Sequence, residues 1–392
     1  MKIDTFTMRL PTKILFGNGQ LNNLHKQSLP GKKAMIVTSS GQSSRRLGYL
    51  AKTETQLKLA RVDTVVFEKV QPNPLKSAVM EGSAFARENG CDFIVALGGG
   101  SVLDTSKGIA IMAVNEGDYW DYIPSGTGKN KIIKNKPLPI VSIPTTAGTG
   151  SEINAAMVIT NETTNEKTGN VNQDLYPTLA VIDPTLTLST PSKLTAFQGF
   201  DALSHSMEAY VSNGASLFSD TLALAAIENI SGSLPKAVKK GTSLSARDKV
   251  AFGNFLSGVV ESIGRITSLH SLEHAMSAYH PELPHGAGLI ILSKAYFSLL
   301  IEKHVCDKRF INMARALGMK NAKKPDDFIT ALTGLMADCR VANIKMSEYG
   351  ITPAEFKKMA KNARFTMGRL FNYDRIKISE RDCIAIYQDS YL

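Results

Sequence analysis

The chain lacks the marks of an extracellular or membrane protein. Its four cysteines, Cys91, Cys306, Cys339 and Cys383, are scattered and form no CxxC pair. That suits a reducing compartment and supplies no metal signature from thiols. The opening residues, MKIDTFTMRLP, have neither a cationic lead into an apolar stretch nor a small-residue cleavage site, so no signal peptide is expected. The most apolar stretch, Gly286 to Ile301, is interrupted by Ser293 and Lys294. It falls short of the ~18 to 20 apolar residues that span a bilayer and reads as a buried helix. The sequence also has no internal repeat, no low-complexity tract and no GxGxxG fingerprint. The net charge of +10 is spread along the chain, with short clusters only at Lys129 to Lys136 and Lys236 to Lys240. Such a surface attracts small anions rather than forming a nucleic-acid interface. These absences lead to the expectation of a cytoplasmic protein with no nucleic-acid and no membrane partner.

What is present points to two kinds of domain. At 392 residues, 43% of them apolar, the chain exceeds what one core usually organises. Ala34 to Val37, Val62 to Phe67, Phe93 to Leu97, Ile140 to Ile143 and Leu179 to Ile182 read as strands, with helices such as Leu75 to Asn89 and Leu103 to Val114 between them. Continuous Val/Ile/Leu runs alternating with helices are the pattern of a parallel sheet covered on both faces. After Asp183-Pro184 the period becomes helical, over Ala196 to Ser212, Leu217 to Ala237, Ala246 to Ser262 and Ile266 to Tyr279. The spacing predicts an α/β domain over residues 1–185 and an all-helical domain over 186–392, with Pro191 starting the first helix of the second.

In the first half, Phe93-Ile-Val-Ala-Leu97 runs into Gly98, Gly99, Gly100 and Ser101, followed by a helical stretch containing Asp104. A strand, a glycine turn and a helix start let backbone N–H groups approach a phosphate, although a tight turn alone needs no ligand. A second polar glycine loop, from Pro144 to Glu152, carries Thr145, Thr146 and Thr149. Two such loops at consecutive strand ends favour a nucleotide. The first strand ends in Ser39-Ser40, with no acid before Glu54 and with Arg45 and Arg46 close by. An acid there binds the ribose of NAD, whereas small residues beside arginine admit the 2′-phosphate of NADP, so the reading leans to NADP.

The second half gathers histidine. Five of the seven histidines lie between residues 205 and 285, four of them within His270 to His285. Asp201 and His205 are spaced i, i+4 on one helix, as are His270 and His274 on a later one, and His285 follows Pro284 at another helix start. Each histidine alone reads as a satisfied polar group at a helix end. Together, one carboxylate and several imidazoles suit Fe²⁺ or Zn²⁺. His280 reads as structural, and His25 and His304 receive no role.

The ordered combination of Phe16-Gly17-Asn18-Gly19, Gln71-Pro72-Asn73-Pro74, Gly98 to Lys107, Pro144 to Glu152, the Asp201/His205 helix and Pro284-His285-Gly286 resembles the iron-containing (group III) alcohol dehydrogenase family over nearly the whole chain. The resemblance implies a Rossmann-like N-terminal domain, an all-helical C-terminal domain and an active-site cleft between them. It implies Asp201, His205, His270 and His285 as metal ligands and His274 as a proton-relay group beside the substrate. It also implies pyrophosphate binding by Gly98, Gly99, Gly100 and Ser101, cofactor contacts from Thr145, Thr146 and Lys167, and a homodimer or larger homo-oligomer. Two departures from the family pattern stand out: a segment from His270 to His285 one residue longer than in many members, and Ser39-Ser40 in place of the acid often found after the first strand.

The function expected is therefore metal-dependent, NAD(P)-linked hydride transfer between a nicotinamide and a small alcohol, diol or aldehyde. A sugar-phosphate cyclase of the dehydroquinate synthase type needs basic residues around a phosphate pocket, and near His270 to His285 only Arg265 and Lys294 are at hand. A glycerol dehydrogenase-like polyol enzyme is a nearer alternative. A metal- or nucleotide-binding protein without catalysis predicts binding without turnover.

Overall fold

A computed structural model describes residues 6–391 and separates them into two compact units. One consists of Arg9–Thr146 and Ser151–Leu188. It contains β1 (Lys13–Phe16), β2 (Lys33–Ser39), β3 (Asp63–Val70), β4 (Phe93–Gly98), β5 (Ile140–Pro144), β6 (Ala156–Asn161), β7 (Glu166–Val171) and β8 (Leu179–Ile182). Its helices are α1 (Ser43–Arg46), α2 (Tyr49–Leu59), α3 (Lys76–Glu88) and α4 (Gly100–Met112). Six strands form a sheet in the order β1-β8-β5-β4-β2-β3, with every pairing parallel.

The central strands are apolar throughout because each face meets a different core. Met35, Val37, Ile94 and Ala96 join Val79, Ile109 and Ile111 on one side. Ala34, Ile36, Val95 and Leu97 join Leu21, Leu50 and Leu57 on the other. Side chains alternate across a strand, so two covered faces demand an unbroken apolar run. This is a Rossmann-like sheet, and all five expected strands are in it. The connection order reverses between β2 and β4, which lie side by side with Val37 opposite Ala96. Such a switch point opens a crevice at the carboxyl ends of the strands.

Two features differ from the sequence expectation. The antiparallel hairpin β6/β7 was not anticipated, because Asn161, Glu166, Lys167, Thr168 and Asn170 are polar and nevertheless buried. Polar partners replace an apolar pattern there. The fully buried Lys107 of α4 donates to Ser151 Oγ (2.8 Å), to the carbonyl and Oδ1 of Asn154 (both 3.0 Å) and to the carbonyl of Ala156 (2.6 Å), fixing the entry to the hairpin. The edge strand β1 is only four residues long and partly exposed, too short for periodicity to reveal.

The other unit is residues 189–391 together with residues 6–8 and Ala147–Gly150. Its helices are α5 (Ser192–Val211), α6 (Leu217–Ser231), α7 (Leu234–Lys239), α8 (Leu244–Gly264), α9 (Ser268–Tyr279), α10 (His285–Glu302), α11 (Asp307–Ala316), α12 (Asp327–Asp338), α13 (Phe356–Met367) and α14 (Glu380–Asp389). Pro191 is the N-cap of α5. The single helix expected over Leu217 to Ala237 is two helices. α6 stops at Ser231, and α7 restarts with proline in its first turn, where the missing N–H costs nothing. Among the described residues no helix is long and apolar enough to cross a membrane.

Candidate functional site

Helices α5, α9 and α10 converge on Asp201. The side chains of α5 are buried on nearly every face, so Asp201 and His205 point into protein rather than water. Gly286, in the first turn of α10, permits the closest approach: a Cβ there would lie 2.1 Å from the Phe197 carbonyl of α5. That contact brings His285 over Asp201.

Three nitrogens surround one carboxylate oxygen. Asp201 Oδ1 lies 3.5 Å from His205 Nδ1, 3.7 Å from His270 Nε2 and 3.5 Å from His285 Nε2. Potential ligand atoms of Asp201, His270 and His285 fall within 4.8 Å of one another. His205 stands just outside this group, its ring stacked on that of His270 with centroids 4.4 Å apart. The potential ligand atoms of Glu273, His274 and His285 likewise lie within 4.8 Å of one another. His274 stands beside both His270 and His285, with centroids 6.1 and 5.1 Å away, and its Nδ1 faces Met367 Sδ.

The chemistry of this cluster fits a divalent cation. Asp201 Oδ1, His205 Nδ1 and His270 Nε2 are buried and make no hydrogen bond. Each such orphan ordinarily costs about 1–3 kcal/mol, and three facing one another share a single remedy in a coordinated ion. Mixed imidazole and carboxylate donors are what Fe²⁺ and Zn²⁺ accept. Burial pushes the His205 imidazole down to about 4, leaving it neutral. Burial acts the same way on His270, but Glu208 and Asp201 outweigh it and raise that ring to about 10, so its Nε2 would be open to an ion only by the ion's displacing a proton. Burial alone would raise the Asp201 carboxyl. The surrounding imidazoles of His205, His285 and His270 instead hold it well below its ordinary value.

In the sheet unit, Ser39 ends β2 and Ser40 follows it, and Gly98, Gly99, Gly100 and Ser101 join β4 to α4, so both sets flank the switch point. Gly98 is required by packing, since a Cβ would fall 2.5 Å from Val102 Cγ2. A Cβ on Gly99 would lie 3.1 Å from Thr146 Oγ1, so the two glycine loops touch. Thr145 N–H donates to the Gly98 carbonyl at 3.0 Å. The amide N–H groups at the start of α4 supply positive potential for a phosphate.

Two other candidates are engaged by protein. Asp104 accepts from Ser151 Oγ (2.6 Å) and from Val158 N–H (2.9 Å), and Lys167 Nζ donates to Asn73 Oδ1 at 3.0 Å. Thr149 belongs to the segment grouped with the helical unit. The glycines of Phe16-Gly17-Asn18-Gly19 serve the fold: Gly19 N–H and Leu21 N–H donate to the Asp183 carboxylate at 3.0 and 3.1 Å.

Sequence reasoning missed three acids. Glu68 of β3 borders a recess of about 280 Å³ beside Ser40 and pairs with Arg45 at 2.6 Å. It comes from the neighbouring strand, so a search along β2 could not find it. Glu208 and Glu273 are fully buried beside His270 and His285. Their signal was present as helical spacing, seven residues after Asp201 and three after His270. His280 meets Glu355 at 3.1 Å, His25 meets Gln56 and His304 meets Asp307, all away from the cluster.

Comparison with known proteins places this architecture. Residues 11–184 match the family described as "Iron-containing alcohol dehydrogenase", and residues 195–391 match "Fe-containing alcohol dehydrogenase family, C-terminal". The chain is 32% identical to the 1,3-propanediol dehydrogenase of Citrobacter freundii over 100% of both chains. It is also 32% identical to the NAD-dependent methanol dehydrogenase of Bacillus methanolicus, covering 90% of this chain and 92% of the relative. The crystal structure of an archaeal halo-thermophilic alcohol dehydrogenase from a Red Sea brine pool superposes with a TM-score of 0.93 at 30% identity, over 100% of each chain. The chain belongs to the iron-containing alcohol dehydrogenase family, oxidoreductases of alcohols that use a nicotinamide cofactor and a divalent metal.

Proposed function

We propose that the protein is a cytoplasmic, homo-oligomeric oxidoreductase that interconverts a small alcohol or diol with its aldehyde, using Fe²⁺ held by Asp201, His205, His270 and His285. The observation that carries this reading is the set of buried, unbonded donor atoms facing one another in Asp201, His205 and His270, with His285 Nε2 completing the ring around Asp201 Oδ1. Zn²⁺ fits the same donors. When bound, the metal supplies a Lewis acid for the substrate oxygen and the nicotinamide supplies or accepts hydride. Asp201 brings the one negative charge, and burial keeps His205 neutral with a lone pair free to ligate. His274, beside His270 and His285, is positioned to pass the alcohol proton onward.

The cofactor reading favours NADP over NAD. Ser39 and Ser40 offer hydroxyls without negative charge at the end of β2. Arg45 is engaged by Glu68, so the 2′-phosphate is assigned to Arg46, which makes only a long 3.5 Å contact with the Gly41 carbonyl. Gly99, Gly100 and Ser101 take the pyrophosphate and Thr145 and Thr146 the cofactor's polar groups, while Asp104 and Lys167 shape the hairpin that frames them.

One experiment tests metal, cofactor and reaction together. Wild type and His270→Ala are stripped of metal, resupplied with Fe²⁺ or Zn²⁺, and assayed for NADPH and NADH oxidation with small aldehydes. Turnover restored by metal in wild type and reduced at least 100-fold in His270→Ala is expected, with NADPH the better cofactor. Equal turnover by metal-free protein would overturn the metal assignment, and a preference for NADH would overturn the cofactor assignment.

A further inference from the structure

Beyond the four candidate ligands, two glutamates stand behind the cluster in the same relation. Glu208 of α5 and Glu273 of α9 are both completely buried. Glu208 Oε1 meets His270 Nδ1 at 2.5 Å, and Glu273 Oε2 meets His285 Nδ1. The opposite nitrogen, Nε2, of each of these two rings faces Asp201 Oδ1. An ionised carboxylate can only accept a hydrogen bond, so Nδ1 must carry the proton in each ring and Nε2 is left as the ligating atom. From these contacts we infer that Glu208 and Glu273 are the positioning residues of the metal centre, fixing the tautomer and aim of His270 and His285; the inference rests on the metal reading above.

Both carboxylates are themselves held. Glu208 Oε2 accepts from Thr267 N–H at 3.1 Å and Thr267 Oγ1 at 3.0 Å, immediately before α9 begins. Tyr296 of α10 donates to Thr267 Oγ1 at 2.8 Å. One carboxylate thereby ties the three helices that carry the candidate ligands. Glu273 occupies space left by Gly288 of α10, where a Cβ would lie 2.7 Å from Glu273 Cγ. A buried charge lodged in a glycine-made niche is costly in an apolar core and is accounted for by a histidine that must be aimed.

Outer-shell carboxylates of this kind typically contribute 10- to 100-fold in metal affinity. The test is Zn²⁺ affinity by chelator competition and the visible absorption of the Co²⁺-loaded protein, for wild type, Glu208→Gln, Glu273→Gln, Thr267→Val and His270→Ala. The melting temperature of each metal-free protein is recorded alongside. Each glutamine variant is expected to bind Zn²⁺ about 10- to 100-fold more weakly with an altered Co²⁺ spectrum, and Thr267→Val less severely, while metal-free melting stays close to wild type. Should Glu208→Gln fail to fold, Glu273→Gln and Thr267→Val decide. Affinities within twofold of wild type in the glutamate variants, beside lost binding in His270→Ala, overturn the inference and leave the metal centre standing. No binding by wild type overturns both.

Discussion

Asp374 lies buried against Tyr296 and Ser268, and burial, the largest influence on it, pushes its carboxyl up to about 7, with nearby Glu208 adding to the effect. Each hydroxyl in this chain has one hydrogen to give. Thr267 directs its own to Glu208, and the single hydrogen of Tyr296 is shared between Thr267 Oγ1 and the Asp374 carboxyl. The sign for stability follows. An acid whose folded value is raised binds its proton more tightly in the native state, so its contribution is complete below the ordinary carboxylate range and is lost as pH climbs to about 7. Within that window stability falls by up to about 1.4 kcal/mol per pH unit from this group. Thermal melts between pH 5 and 8 should show the decline in wild type and a flatter profile in Asp374→Asn. An unchanged profile in the variant would assign the slope to another group.

At the scale of elements, the distance between α5 and α10 is set by a missing side chain. Gly286→Ala places a methyl 2.1 Å from the Phe197 carbonyl, closer than atoms can approach, and backbone cannot move aside as a flexible side chain does. The variant is expected to lose about 1–3 kcal/mol of stability and to weaken metal binding, because His285 at the start of α10 moves with the helix. Chemical denaturation and Zn²⁺ titration check both, and wild-type values in each would mean that α10 is not seated by this glycine. The same geometry explains what could and could not be read beforehand. The strands β2, β4, β5 and β8 and the helices α5, α9 and α10 announce themselves through unbroken apolar runs or helical period. Asp201, His205, His270 and His285 could be nominated because i, i+4 spacing and local crowding survive in one dimension. Glu208 and Glu273 were passed over since a glutamate within a helix normally faces water, and only the packing of three helices reveals that these two do not. The hairpin β6/β7 stayed hidden for a related reason, being held by Lys107 and Asp104 rather than by apolar alternation.

For the whole molecule, a metal bound by three separate helices is a crosslink as well as a reagent. Ligation acts only on the native arrangement, because Asp201, His270 and His285 are dispersed along the unfolded chain, so metal at 100 times its Kd adds roughly 2.7 kcal/mol to stability. In a unit of this size that corresponds to a rise in Tm of roughly 5 to 11 °C. Calorimetry of stripped and reloaded protein measures it directly. A Tm indifferent to metal would mean that the cluster binds nothing of consequence.

The segment Ala147–Gly150 has a temporal consequence. It is covalently framed by the sheet unit yet grouped with the helical one, where Gly150, at φ +59°, donates to Asn254 Oδ1 at 3.2 Å and a Cβ would lie 2.4 Å from the Cα of Gly258. Asn254 comes 104 residues later in the chain. At roughly 5 to 20 residues per second the ribosome needs roughly 5 to 20 s to deliver it. The last strand of the sheet, β8, ends at Ile182, so for the final two-thirds of that interval a nascent chain with every strand of its sheet already made carries a glycine loop whose seat has not been synthesised, and vectorial synthesis obliges this contact to close after the sheet and not with it.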